Sequence, residues 1–387
     1  MSEWTTLPLV EVMEFREGPG VLAKDFHDRG VPLIRLAGLK VGAGLLQGCN
    51  FLDPELASTR WSQFRLALGD VLLSSSASLG EVATVDPSAV GAIPYTGIIG
   101  FRARDERLCQ RFIPFVLTAP TFKQQIQEMG VGSVMRHFGP SHLRQMNVSI
   151  PPRRDQEGIA SVLGALDAKL AANAKLVEGA ESLSQTLFKS IAGASTLVPL
   201  SEMARFVNGK AFTKGASGTG KVVIRIAELN SGISGSTVFS DAEVGDEFLA
   251  RSGDILFAWS GSLTLHRWFR GDGIVNQHIF KVMPNEQPSW LIYELLRERL
   301  AYFKGIAADK ATTMGHIQRR HLDELVAVPS RSAIDQIDDL MTALWQSTLL
   351  AERESESLAA TRDALLPQLM SGKLRVRDAE KVLEGVL

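Results

Sequence analysis

The stretch that decides the fold spans residues 155–191 and reads DQEGIASVLGALDAKLAANAKLVEGAESLSQTLFKSI. Mostly apolar or small residues recur in it at alternating steps of four and three, at Ile159, Leu163, Leu166, Leu170, Asn173, Val177, Ala180, Ser184, Leu187 and Ile191. This spacing is the heptad seam of a coiled coil, kept without a proline for about five heptads. At 1.5 Å per residue, the predicted helix is roughly 55 Å long. Asn173 lies on the seam, where a buried amide typically fixes the register of two helices.

A second stretch repeats this spacing 178 residues further along the chain, from Ile337 to Leu369. Its seam positions are Ile337, Met341, Leu344, Thr348, Ala351, Ser355, Leu358, Arg362, Leu365 and Leu369. Two helices of equal length, half a chain apart, can bury their apolar stripes against each other. The alternative is that each is a long amphipathic helix lying on a large core.

The segments between the helices are also duplicated, because residues 197–330 repeat the order of features in residues 6–151. The matching points are Leu7–Leu9 with Val198–Leu200, Val31–Leu39 with Val222–Leu229, Leu68–Leu73 with Ser252–Phe257, and His142 ahead of Pro151 with His321 ahead of Pro329. Four matches in one order predict a duplicated unit.

We therefore expect a mixed α/β (α+β) fold with two homologous globular domains, two long antiparallel coiled-coil helices and an internal pseudo-twofold repeat. The predicted boundaries are residues 1–151 for the first domain, 152–192 for the central helix, 193–330 for the second domain, and 331–387 for the C-terminal helix and tail. Short apolar runs predict strands at Pro32–Ala37, Asp70–Leu73, Ile98–Arg102 and Ile279–Val282. A helix is predicted over Arg111–Glu128, interrupted by Pro114 and Pro120.

The composition excludes several classes of protein. The N-terminus has neither the basic start nor the apolar run of a secretory signal, and no apolar run reaches the roughly 18 residues of a membrane span. Cys49 and Cys109 stand alone, without metal-ligand spacing, as expected for reduced thiols in the cytoplasm. Residues 1–154 have 16 Lys and Arg against 14 Asp and Glu, so nucleic-acid binding would have to depend on local patches.

Motifs for catalysis are largely missing from the sequence. Gly215–Lys221 fits the first seven positions of a phosphate-binding P-loop. However, Val222 replaces the required hydroxyl, and a β-rich run follows where that motif needs a helix. We interpret it as a glycine-rich turn. Asp70 and Asp254 each follow a glycine at the start of a strand, where a turn carboxylate is a more common role than a catalytic acid.

Polar, glycine-punctuated loops are the remaining candidates for function. Hydroxyls and arginines of such loops bind phosphates, and Asn, Gln and Arg pair with base edges in the major groove. The alternative for each residue is a solvated loop surface. The candidates in the first half are Arg35, Ser75, Ser76, Ser78, Ser133, Arg136 and His137. Those in the second half are Lys210, Lys214, Arg225, Ser260, Ser262, Asn276, Gln277, His278, Thr312, Thr313, His316, Arg319 and Arg320.

Over essentially its whole length, this layout resembles the DNA-specificity subunit of type I restriction–modification systems. The similar segments are Leu68–Leu72, Gly253–Leu256, Asn276–Ile279, the junctions Ile150–Pro152 and Val328–Pro329 leading into Asp155-Gln156 and Asp335-Gln336, and the tail Leu369–Leu374. The second junction departs from the first, since Ser330 follows Pro329 where the first junction has two prolines.

The resemblance implies a subunit without catalysis, metal or cofactor of its own. Each target-recognition domain would read one half of a split site in double-stranded DNA, and the helices would set the distance between the halves. Two modification subunits with S-adenosylmethionine would dock on the helices, and restriction subunits using ATP and Mg would join them. No membrane would be involved.

Two other classes of protein remain open at this point. A two-domain interaction scaffold without direct DNA reading agrees with the near-neutral globular segments. A P-loop NTPase would depend on Gly215–Lys221 and on nucleotide hydrolysis by the purified chain. DNA binding separates the first of these from a specificity subunit.

Overall fold

The computed structural model describes residues 4–40, 42, 44–77, 79–129, 137–193, 195–309 and 315–385. The chain divides into two compact units. Unit 1 comprises Met1–Ala171 and Leu358–Leu387, and unit 2 comprises Ala172–Ser357. The division falls inside the two long helices, whereas the predicted domain boundaries follow the ends of those helices.

In the first half of the chain, short strands alternate with short helices until one long helix begins. The strands are β1 Thr5–Pro8, β2 Met13–Glu17, β3 Val31–Ile34, β4 Asn50–Leu52, β5 Val71–Ser74, β6 Val82–Thr84, β7 Ile93–Pro94, β8 Ile98–Ala103 and β9 Asn147–Ile150. The helices are α1 Leu9–Val12, α2 Pro54–Thr59, α3 Ile113–Thr118, α4 Pro120–Glu128, α5 Pro140–Leu143 and the long α6 Arg153–Ser190.

The second half has a similar order of strands and helices, and a long helix again follows its last strand. Its strands are β10 Ser195–Pro199, β11 Ala204–Asn208, β12 Lys221–Ile224, β13 Phe239–Ser240, β14 Leu249–Ala250, β15 Ile255–Ala258, β16 Thr264–Arg267, β17 Gly273–Val275, β18 Ile279–Pro284 and β19 Leu325–Pro329. Its helices are α7 Leu200–Met203, α8 Ile226–Ser231, α9 Ser289–Asp309, the long α10 Arg331–Met370 and α11 Val376–Glu384.

The two halves share their sheet topology. Unit 1 has an antiparallel sheet in the order β2-β8-β5-β6, a mixed sheet β4-β3-β7 and the pair β1-β9. Unit 2 has the corresponding sheets β11-β18-β15-β16, β13-β12-β17-β14 and β10-β19, in which β14 is an additional strand. In both mixed sheets the first strand pairs in parallel with a later one, β3 with β7 and β12 with β17. The predicted mixed fold with an internal repeat is confirmed.

The predicted elements differ from the structure mainly at their ends. The strand predicted over Pro32–Ala37 ends at Ile34, where a single turn of 3₁₀ helix follows. The prediction that Pro114 interrupts a helix is wrong. Pro114 occupies the first turn of α3, where its missing N–H has no intrahelical partner to lose. The predicted interruption at Pro120 is confirmed, since α3 ends before Ala119 and Pro120 begins α4.

In unit 1 the beginning of α6 packs against the end of α10. The buried side chains of Ile159, Leu163 and Leu166 belong to the same apolar core as those of Leu365 and Leu369. The charged residue Arg362 also occupies a seam position, and its guanidinium pairs with the Asp167 carboxylate at 3.1 Å. Burial raises the pKa of the Asp167 carboxyl above its usual value even though this hydrogen bond with Arg362 favours the charged form.

In unit 2 the remainder of the two helices pair in antiparallel fashion. Asn173 is buried, and its amide nitrogen donates to the Glu354 carboxylate at 2.7 Å and to the Ser355 hydroxyl at 3.3 Å. Further along α6, Phe188 shares a core with Met341 and Trp345, which come earlier in α10. The predicted seam is therefore the buried face of both helices, and its polar member Asn173 has internal partners.

Replacing Leu163 by Ala should lower the free energy of unfolding of unit 1 by about 2–5 kcal/mol, because it removes buried methyl groups and leaves a cavity. Leu163 has no solvent exposure, whereas Leu176 on the same helix is 45% exposed. Leu176→Ala is the matched control and should change stability by only about 0.5 kcal/mol. Chemical denaturation of both variants measures the difference, and equal losses would contradict the assigned seam.

Candidate nucleic-acid interface

The loop after strand β15 in unit 2 is built around the indole of Trp259. Its ring nitrogen donates to the Asn208 amide oxygen at 2.7 Å, at the end of β11. The indole centroid lies 5.3 Å from that of His278 and 6.4 Å from that of His316. Two backbone hydrogen bonds fix the loop, since Trp259 donates to the His278 carbonyl and accepts from the Ile317 N–H. Three separate segments of the chain therefore meet at one aromatic side chain.

The turn before strand β18 is held by the side chain of Asn276. This buried amide accepts a hydrogen bond from the Phe212 N–H at 3.1 Å. The neighbouring Gln277 is exposed and only its backbone is fixed, by donation to the Lys210 carbonyl at 3.0 Å. A side chain at Gly209 would meet the Asn276 carbonyl oxygen at 2.2 Å, so this close backbone approach requires glycine. Asn276 thus shapes the turn that presents Gln277.

The two units share one backbone arrangement at these loops. Ser76 and His137 form an isolated β-bridge in unit 1, and Ser260 and His316 form the equivalent bridge in unit 2. The hydrogen bonds beside the bridges also match, from Phe138 N–H to the Ser75 carbonyl and from Ile317 N–H to the Trp259 carbonyl, both at 3.1 Å. The polar loops found twice in the sequence therefore have the same backbone hydrogen-bond pattern in both units.

In unit 1 the loop cluster is completed by Glu17 at the end of β2. Its carboxylate accepts from the Gly97 N–H at 3.0 Å, and the Gly97 carbonyl accepts from the Ser75 N–H at 2.8 Å. Gly97 has φ of 82°, and a side chain there would collide with the Ser76 hydroxyl. The Ser75 hydroxyl is buried without a hydrogen-bond partner among the described residues. A buried polar group without a partner is uncommon in folded proteins.

Two of the predicted arginines are engaged inside their own domains. Arg35 lies 4.0 Å from the Tyr95 ring centroid and donates to Asn50 at 3.0 Å. Arg225 pairs with the buried Glu228 at 2.6 Å, and this hydrogen bond raises the pKa of the Arg225 guanidinium. Both side chains are partly exposed, but their main contacts position the segments that follow β3 and β12.

Both Gly-Asp carboxylates brace the start of a strand. Asp70 accepts from the Ala67 N–H at 2.7 Å and pairs with Arg102 at 2.5 Å. Asp254 accepts from the Arg251 N–H at 2.7 Å and pairs with the buried ammonium of Lys281 at 2.9 Å. These bonds fit the structural role that the sequence favoured for both carboxylates.

The glycine-rich segment before β12 is a hydrogen-bonded turn. Thr219 and Ser217 donate to the Asp241 carboxylate at 2.5 and 3.0 Å, and these bonds lower the pKa of the Asp241 carboxyl. Lys221 begins strand β12, so the segment lacks the helix that follows a phosphate-binding P-loop.

The other predicted residues differ in their accessibility. Ser75, Ser260 and Asn276 are buried, and Ser76, His278 and His316 are partly buried. The exposed candidates are His137, Lys210, Lys214, Ser262, Gln277, Arg319 and Arg320. Ser78, Ser133, Arg136, Thr312 and Thr313 lie outside the described residues. Contact with DNA remains a prediction for each of these residues.

Three residues of the two loop clusters were missed in the candidate set, namely Glu17, Asn208 and Trp259. Glu17 and Asn208 occupy equivalent positions, because the registers of β2 with β8 and of β11 with β18 align them. Each fixes the loop of its own unit through a side-chain oxygen. The signal available in the sequence was their position at the end of the first strand of each repeated sheet.

The part of the chain that the structure describes shows neither a group of metal ligands nor a membrane-spanning helix. Its His, Cys, Asp and Glu side chains form no group that could hold a metal ion. Within those same residues, no helix combines the length and apolar character needed to cross a membrane.

Replacing Asn276 by Ala should destabilise unit 2 by about 1–3 kcal/mol, since it leaves a buried N–H without its acceptor. Gln277→Ala is the matched control, because that side chain is exposed, and its effect should stay within about 0.5 kcal/mol. Thermal unfolding of both variants tests this difference. Comparable destabilisation by the two changes would contradict the shaping role of Asn276.

Comparison with known proteins identifies the architecture. Residues 1–181 match the family model of the type I restriction modification DNA specificity domain. The specificity subunit of the type I restriction enzyme MjaVIII from Methanocaldococcus jannaschii is 21% identical over 173 residues, 43% of this chain. The match spans 40% of the length of that relative.

One solved structure extends the likeness of fold to nearly the whole chain. The S subunit of a type I restriction-modification system from M. genitalium has a TM-score of 0.60 at 15% identity, covering 95% of this chain and 96% of that one. The HsdS subunit from Thermoanaerobacter tengcongensis is 16% identical over 96% of this chain and 97% of its own, with a TM-score of only 0.38. Residues 1–181 therefore belong to the DNA-specificity domains of type I restriction–modification systems, and the second half of the chain repeats the backbone pairing of that domain.

Proposed function

We propose that this chain is the DNA-recognition subunit of a type I restriction–modification complex and performs no catalysis itself. The family match over residues 1–181 supports DNA recognition by the first globular domain. The observation that extends it to the second domain is the repeated bridge, Ser76 with His137 and Ser260 with His316, which places equivalent loops on both. Each domain would read one half of a split site in double-stranded DNA.

Within this proposal, the accessible loop residues have distinct roles. Gln277 is exposed on a fixed turn, and its amide can donate to and accept from a base edge. Arg319 and Arg320 are exposed and lie beside the His316 loop, where guanidinium groups would bind phosphates. Ser76 and His137 would be their counterparts in the first domain. Buried Asn276 would act only by shaping the turn.

The chemistry would belong to partner subunits that dock on the long helices. Leu176 and Leu183 on α6 are 45% and 43% exposed, and Leu340 and Leu350 on α10 are 47% and 61% exposed. Leu176 and Leu183 are seven residues apart and so lie on one face of α6, which would suit a helical docking surface. Two modification subunits would bring S-adenosylmethionine, and restriction subunits would bring ATP and Mg, while this chain would hold no cofactor.

Adenine methylation by the assembled complex tests the proposed function. The chain together with its modification subunits should methylate adenines at a split sequence, and the purified chain alone should methylate nothing. Gln277→Ala should change base preference in the second half-site and leave the first half-site unchanged. Mapping of methylated adenines gives both results. Methylation that ignores loop substitutions in both domains would favour the alternative, a scaffold without direct DNA reading.

The length of the helices should set the spacer between the two half-sites. Adding seven residues to both α6 and α10 preserves the helix faces and lengthens each by about 10 Å at 1.5 Å per residue. At roughly 3.4 Å per base pair, the preferred gap should grow by about three base pairs. The half-sites would also rotate by about 100° around the duplex, so a loss of affinity is expected alongside the longer gap.

Selection from DNA libraries with random spacers measures this preference in the assembled complex. The control adds one heptad to α6 alone, which should disturb pairing because the partner seam is then too short. An unchanged preferred spacer in the doubly extended and well-folded protein would show that these helices do not set the distance between the half-sites.

A further inference from the structure

Unit 1 has an arginine-lined cavity that the proposed function does not use. Its volume is about 370 Å³, and it lies between the β2-β8-β5 sheet and the segment Gln63–Leu66. The charged side chains of its wall are Arg16, Arg65, Arg102, Arg104, Arg144, Glu14 and Asp70. Five positive charges against two negative charges leave a surplus of three. This is a local basic patch in a domain whose overall charge is nearly balanced.

Three of these arginines are held in place by the protein. Arg102 pairs with Asp70 at 2.5 Å, Arg16 donates to the Gln63 carbonyl at 2.7 Å, and Arg65 donates to the Gly91 carbonyl at 3.4 Å. A guanidinium has five N–H donors, so each of the three retains donors for another group. Their anchoring means that a bound anion would meet a partly preorganised wall.

The other two arginines, Arg104 and Arg144, make no side-chain hydrogen bond or ion pair with any residue that the structure describes. Both are exposed, on the loop after β8 and at the end of α5. Neither guanidinium is therefore the hydrogen-bonded partner of a described carboxylate, and Asp105 beside Arg104 has its own partner in Arg107. Removing them should leave no buried partner unsatisfied, which makes them suitable positions for a test.

Unit 2 provides an internal comparison, because its equivalent sheet lacks this patch. The strand registers and the two Gly-Asp turns align the five arginines with Val207, Leu249, Met283, Asn285 and Asp323. Two positions change in the opposite direction, Glu14 to Arg205 and Gly100 to Lys281, but the Lys281 ammonium pairs with Asp254. Since the same sheet forms without these arginines, the fold does not require them.

We propose that this cavity binds a phosphate group. The planar fork of a guanidinium matches phosphate oxygens and forms charge-assisted hydrogen bonds with them. The cavity also adjoins the candidate loops, because Arg16 directly precedes Glu17, whose carboxylate fixes the Gly97 N–H beside Ser76. The phosphate is either a backbone phosphodiester of DNA held by the first domain or a small phosphorylated ligand. Binding of a DNA phosphodiester rests on the proposed function, whereas binding of a small phosphorylated ligand does not.

The test compares the double variant Arg104→Gln/Arg144→Gln with the wild type as assembled complexes on DNA. For a DNA phosphate, the variant should bind about tenfold more weakly at low salt. The slope of log affinity against log salt should fall by up to about 1.8, since each neutralised phosphate contributes about 0.9. The matched control is Arg375→Gln/Arg377→Gln, which removes the same charge from exposed positions at the start of α11 in unit 1 and should change neither quantity.

A second measurement titrates the full chain with inorganic triphosphate by calorimetry. Binding to wild type that is lost in the Arg104/Arg144 variant, with an unchanged salt slope on DNA, assigns the cavity to a small phosphorylated ligand. If the wild-type complex binds its DNA and the variant matches it in salt slope and triphosphate binding, the phosphate site is refuted and the proposed function stands. If wild-type complexes show no sequence-dependent DNA binding, the proposed function fails, and triphosphate titration alone decides the cavity.

Discussion

A long helix cannot bury its apolar stripe by itself, and both units of this protein depend on that constraint. In unit 1 the beginning of α6 reaches the domain core through Leu163 and Leu166. In unit 2 the same helix contributes Phe188 to a different core. Each end of α6 is thus covered by part of α10 and by a globular sheet. Side chains of the globular domain and of the helix pair therefore stabilise each other within either unit.

The polar members of the seam make this pairing more specific than apolar contact alone would. Asn173 contacts Glu354 and Ser355, so a shift of one helix by a turn would leave a buried amide without partners. Arg362 and Asp167 have the same effect through an ion pair. Apolar contacts tolerate such shifts more readily, because they have no direction. The polar positions therefore fix the register that the apolar positions leave loose.

Much of the fold was predictable because its signals are periodic or repeated. The spacing of Ile159 and Leu163 identifies a helix face without reference to distant residues, and the duplicated Gly-Asp pairs locate equivalent strands. The roles of loop residues were less predictable, since they depend on distant backbone groups. Asn276 and Gln277 are neighbours of similar chemistry, yet the N–H of Phe212 makes the first a buried brace. Nothing in the local sequence separates these two amides.

Duplication also shows how one framework can serve two different surfaces. The end of the first sheet strand holds the neighbouring loop through Glu17 in unit 1 and through Asn208 in unit 2. Glu17 fixes a backbone N–H, whereas Asn208 fixes the indole of Trp259, so the same position supports loops of different chemistry. The strand order and the Ser–His bridges remain constant while these contacts change. If the loops bind DNA as proposed, changes in loop side chains can alter recognition without altering the sheets.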